Sequence, residues 1–124
     1  MKASEEGSGE APVEVGAVLE RIGGNPGLLI EMVEIFLLEY PERLTALRNA
    51  VRAERAAEIE AAAHGIRSAL QFFGAEGASG LARELEALGR AGSVHQAPSV
   101  LARFEPEMER IFRFFTDPRW RERM

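Results

Sequence analysis

Four stretches of this chain repeat apolar residues at steps of three and four, a spacing that commits them to amphipathic helices packed on one another. The strongest begins at Asn25, a helix N-cap, with Pro26 at the first helical position and Leu28, Leu29, Met32, Val33, Phe36 and Leu37 behind it. Pro41 interrupts the pattern before Leu44, Leu47 and Val51 resume it, which reads either as one helix kinked near Tyr40 or as two abutting helices. A segment from about Ala53 to Phe73 ends at Gly74, where positive φ costs nothing. The next runs from about Ala75 to Ala91, with Ala78, Leu81, Leu85 and Leu88 as its seam, and stops at Gly92 and Ser93. The last, about Pro98 to Phe115, offers Val100, Leu101, Phe104, Met108, Ile111, Phe112 and Phe115 before Asp117 and Pro118 break it. A shorter run, Val15, Val18, Leu19 and Ile22, stops at Gly23, Gly24 and Asn25 and is placed as a lid on one end.

Strand alternation, a Gly-rich phosphate loop and internal repeats are all missing from the sequence. The expected fold is all-α: an up-down antiparallel four-helix bundle with a short extra N-terminal helix. A chain of 124 residues, 46% of them hydrophobic, suffices for one core. The expected organisation is a flexible leader over 1–12, the bundle over 13–116 and a C-terminal tail over 117–124. Gly77 and Gly80 each cost about 1 kcal/mol in a helix relative to Ala. They are read as points of close backbone approach, or as a frayed first turn.

Several functions are excluded by composition. Cysteine is absent, which rules out disulfides, thiolate zinc sites and cysteine nucleophiles and suits a reducing cytoplasm. The longest apolar run, Gly27 to Leu38, carries Glu31 and Glu34, so no membrane span is expected, and the first ten residues lack a signal-peptide core. Net charge is −5 and the arginines are interleaved with glutamates, which argues against nucleic acid. The cluster Arg119, Trp120, Arg121 and Arg123 is the local exception and reads as a solvated, fraying tail.

One residue stands out as a reagent. In the third segment Ile59, Ala62, Ala63, Ile66, Ala69, Leu70 and Phe73 share one face, and at about 100° per residue His64 points roughly 150° from its centre. Its neighbours on the outer surface are small, Ala57, Ala61 and Ser68, with Glu60, Arg67 and Gln71 on one flank and Phe72 on the other. Such a surface lets another protein's active site approach the imidazole closely. An exposed imidazole is largely neutral at neutral pH and has a lone pair available for attack without a separate base. Arg67, one turn on and off the apolar face, carries a guanidinium suited to phosphoryl oxygens. Phe72 lies at the edge, either packed or part of the docking surface.

Other chemistries fit less well. Zinc needs three or four ligands, whereas only His64 and His95 exist, on different segments. A serine-type triad needs a carboxylate on the histidine; the sole Asp, Asp117, is in the tail, and Glu60, one turn away, reads as a solvated glutamate. His95, beside Pro98, is given no functional role.

The run Ala63-His64, Ile66, Arg67, Ser68-Ala69 and Gly74-Ala75 resembles the histidine-containing phosphotransfer (HPt) domain of bacterial two-component phosphorelays. The likeness extends upstream through Leu19 to Asn25 and Phe36 to Leu44, and downstream through Leu81 to Gly92, covering about residues 15 to 115. It implies that His64 accepts a phosphoryl group from an aspartyl-phosphate on a response-regulator receiver domain and passes it to another receiver. It also implies a histidine kinase or hybrid histidine kinase as partner, Mg²⁺ on the receiver and not on this chain, and a phosphoryl carrier with no kinase activity of its own; a monomer is expected because a bundle of this length can bury its own apolar stripe. Two positions depart from the family pattern: Arg67 stands where Lys is usual and Ser68 where Gly is usual. The alternative they leave open is a non-catalytic adaptor that binds receivers through the same surface.

Overall fold

The computed structural model describes residues 11–124, so residues 1–10 of the expected leader lie outside it. The described residues form five α-helices, α1 (Val15–Arg21), α2 (Pro26–Arg52), α3 (Ala56–Phe72), α4 (Glu76–Ala91) and α5 (Ala97–Thr116), with 3-10 turns at Val94–Gln96 and Pro118–Arg123. No strand occurs among them. Short connections reverse the chain between successive long helices, and each packs on the next while α5 returns to α2, so α2 to α5 close an up-down bundle.

Local chemistry accounts for the helix ends. Asn25 Oδ1 accepts the Leu28 amide at 3.1 Å, satisfying one of the orphan N–H groups at the start of α2. Gly74 turns the chain between α3 and α4 at φ 72°, a region that side chains with a Cβ rarely adopt. Of the two readings at Pro41 the structure has one continuous helix, α2. Pro41 lies on the exposed side, and Thr45 Oγ1 donates to its carbonyl at 3.1 Å.

The core is built from Leu29, Val33, Phe36 and Leu47 of α2, Ile59, Ile66 and Leu70 of α3, Leu85 of α4, and Phe104, Met108 and Ile111 of α5. Leu28, placed with the stripe by spacing, is exposed instead, as are Ile35 and Leu38. On α4 the buried positions are Ala78, Ser79, Ala82, Leu85, Glu86 and Gly89; Leu81 and Leu88, expected on the seam, are only half-buried. The helix is therefore rolled toward α3, and Gly89 is where the two backbones meet. A Cβ built on Gly89 would lie 2.6 Å from the Glu60 amide nitrogen and 2.7 Å from the Ala56 carbonyl oxygen. The expectation of close approach at Gly77 and Gly80 is not met, because Gly80 has nothing within 4 Å and Gly77 faces only the Glu107 carboxylate.

One end of the bundle is sealed by aromatic rings. Phe36, Phe73 and Phe115 pack edge to face at centroid distances of 5.1 to 5.9 Å, and Trp120 joins Phe115 at 5.4 Å. The reading of this tail as solvated and fraying is corrected: Asp117 caps the final turn by accepting the Arg119 amide at 3.0 Å, and Trp120 is buried. The indole's apolar area outweighs the charge of its arginine neighbours, which stay exposed. The short helix α1 is pinned to the end of α3 by the Glu14 amide donating to the Phe73 carbonyl at 3.0 Å and by Arg21 on the Phe72 carbonyl.

Candidate phosphoryl-acceptor site

His64 leaves the middle of α3 on its outer side, with 58% of its side chain exposed. The periodicity that buries Ala63 and Ile66 turns the intervening imidazole outward. Ala57, Ala61, Ser68 and Gln71 are exposed around it, and Glu60 and Phe72 are half-buried. Phe72 lies edge-on to Phe73 with Arg21 over its ring. The Ser68 hydroxyl donates back to the His64 carbonyl at 3.3 Å, so it is folded onto the helix and does not project into the space above the ring.

The carboxylate that touches the imidazole comes from the neighbouring helix. Glu86 of α4, its side chain only 8% exposed, places Oε2 2.9 Å from His64 Nδ1. Glu60, the carboxylate considered from sequence, bonds Arg90 at 3.0 Å. Arg67 donates from Nε to Glu86 Oε1 at 2.6 Å, and Arg90 donates from Nη2 to Glu86 Oε2 at 3.1 Å. Burial raises the Glu86 carboxyl, but the hydrogen bonds from Arg67 and His64, with the Arg67 charge, outweigh it and hold the group below the ordinary carboxylate range.

An ionised carboxylate only accepts hydrogen bonds, so Nδ1 carries the hydrogen and donates it to Glu86. Nε2, which has no partner among the described residues, then carries the free lone pair and faces outward. Arg67 Nη2 lies 3.2 Å from Nδ1, which, donating to Glu86, has no lone pair there to accept from it. Arg67 is also less free than its position off the apolar face suggested: its side chain is 21% exposed and lies against Glu86.

Glu86 was legible only indirectly. It follows core residue Leu85 and falls on the flank of the α4 stripe, where a carboxylate needs a partner, and in antiparallel register across the Gly74 turn it stands opposite His64. His95, by contrast, is in the exposed turn before α5, 4.0 Å from Glu54. No group of three or more metal-ligating side chains converges among the described residues.

Because the Glu86 carboxyl is depressed in the folded protein, its stabilisation is complete above the ordinary carboxylate value of about 4.3 and is lost as pH falls through the lower folded value. Urea denaturation should therefore show a midpoint that drops below about pH 4.5, and more steeply in the parent than in Glu86→Gln. Equal slopes would show that Glu86 is not held ionised.

A helical bundle that presents an imidazole with one nitrogen bonded inward and the other bare outward defines a class, the histidine phosphotransfer domains of phosphorelays. The Hpt domain family model matches residues 31–114, and the chain belongs to that family. The fold is also that of histidine-containing phosphotransfer protein B (HptB) from Pseudomonas aeruginosa PAO1, whose crystal structure superposes with a TM-score of 0.78 at 24% identity, covering 88% of this chain and 95% of that one. No curated protein matches the chain. Among the described residues no helix is long and apolar enough to cross a membrane.

Proposed function

We propose that this chain is a cytoplasmic phosphoryl carrier that takes a phosphoryl group onto His64 Nε2 from the aspartyl-phosphate of one response-regulator receiver domain and delivers it to a second. The observation that carries this reading is the outward Nε2, left bare because Glu86 occupies Nδ1. The Nε2 lone pair attacks phosphorus, the N–P bond forms, and the P–O bond to the aspartate breaks with its electron pair leaving on the carboxylate. The hydrogen stays on Nδ1 throughout, donated to the Glu86 carboxylate, so delivery is the same step reversed and needs no general base. The ring gains positive charge in the transfer, and the ionised Glu86 lies where that charge develops.

The receiver docks over the exposed Ala57, Ala61, Ser68 and Gln71, with Glu60 and Phe72 at the margins. In this reading Arg67 is the nearest cation to the acceptor ring, the Mg²⁺ that neutralises the phosphoryl oxygens belongs to the receiver, and a histidine kinase or hybrid kinase stands upstream. The carrier works as a monomer. Incubation with a receiver bearing labelled aspartyl-phosphate should give an acid-labile, base-stable label mapped to His64 Nε2. A chain that binds the receiver but takes no label, or takes it at another residue, would replace this reading with that of an adaptor.

A further inference from the structure

The side chains around Glu86 form an alternating chain, Arg67, Glu86, Arg90, Glu60, that crosses from α3 to α4 and back. Each Glu86 oxygen is held by a different arginine: Oε1 by Arg67 Nε at 2.6 Å, and Oε2, the oxygen that meets His64, by Arg90 Nη2 at 3.1 Å. Arg90 is itself tied by its Nε to Glu60, one turn before His64 on α3. The chain crosses where Gly89 brings the two backbones together, so its reach is fixed by the bundle and not by flexible loops. From α2 the charged groups on this side are Arg43, beside Gly65, and its partner Glu39.

We infer that Arg67 is a positioning residue that acts on His64 through Glu86, as one jaw of a clamp whose other jaw is Arg90. Three observations point this way. The Arg67 Nε is committed to Glu86; the ring nitrogen that its Nη2 reaches, at 3.2 Å, is Nδ1, not the nitrogen that would carry phosphate; and the side chain is largely buried. A carboxylate gripped at both oxygens cannot rotate away from Nδ1, which fixes the ring's tautomer and its orientation. Arginine suits this duty because its fork of donors puts Nε on Glu86 and Nη2 beside the ring at once, a reach that an ammonium point charge does not reproduce.

This inference deepens the phosphotransfer reading, and a double-mutant cycle tests it. Arg67→Met and Glu86→Gln should each slow transfer from a labelled receiver on the order of tenfold, and the double variant should stay near tenfold because both changes disable the same hydrogen bond. An additive loss, on the order of a hundredfold, would mean that Arg67 meets the phosphoryl group independently of Glu86, and would overturn the proposal. A second readout needs no transfer at all. Nitrogen-15 NMR of His64 should show one Nδ1–H tautomer in the parent and a mixture in Arg67→Met and, to a smaller extent, in Arg90→Met. An unchanged tautomer in both variants rejects the clamp, whereas failure of the parent to be labelled at His64 rejects only the transfer reaction. Arg90 is 63% exposed, so Arg90→Met carries the NMR arm if Arg67→Met does not fold.

Discussion

Replacing His64 with Gln is expected to abolish phosphoryl labelling by a phosphorylated receiver while leaving the bundle folded. The imidazole is more than half exposed, and its one strong contact is the bond from Nδ1 to Glu86. Glu86 keeps both arginines in the variant, so the buried carboxylate is not left unpaired, and the change in stability should stay within about 1 kcal/mol. The chemistry has no such reserve. His95 sits in an exposed turn without a buried carboxylate to orient it, so it offers no second acceptor. Measured side by side, the variant should give an unchanged far-ultraviolet circular dichroism spectrum and no acid-labile label. Label retained at the parental level would place the acceptor elsewhere.

The second large effect is expected at Gly89, where Gly89→Ala should destabilise the fold by about 3 kcal/mol and lower Tm by roughly 10 °C. Alanine ordinarily favours a helix over glycine by about 1 kcal/mol, so the sign here is decided by space. A Cβ would sit 2.6 Å and 2.7 Å from backbone atoms of Glu60 and Ala56, and backbone cannot rotate aside as a side chain can. The helices must separate, and with them Glu60, Arg90, Glu86 and His64, so transfer should fall beyond what the fraction folded explains. Thermal unfolding followed beside the transfer rate checks both parts. A variant as stable as the parent would show that α3 and α4 do not touch at Gly89.

The helical frame and the outward histidine were legible because both follow from local geometry. Asn25 and Pro26 announce the start of α2, and the spacing around Ala63 and Ile66 turns His64 outward whatever the bundle's details. What was not legible depends on which helices meet and at what roll. Ala78, Leu81, Leu85 and Leu88 made a good seam on paper, but the packed face is Ala78, Ala82, Leu85 and Gly89, a small rotation that brings Glu86 under His64. Gly77 and Gly80 drew attention by helix propensity alone, whereas Gly89 continues the buried series and is the glycine that the packing requires. Arg67 was rightly placed beside His64, but a one-helix projection has no means of showing the carboxylate it pairs with across the groove. The tail misled because its arginines dominate its composition while one indole decides where it goes.

That indole has a practical consequence. It is the one tryptophan in the chain, buried against Phe115 and reaching the bundle through its aromatic end and not through the face that carries His64. Its emission wavelength should therefore report whether the fold is intact without sensing the His64 ring. A blue-shifted spectrum in any variant with lost activity assigns that loss to chemistry, and a red-shifted one to a bundle that has come open.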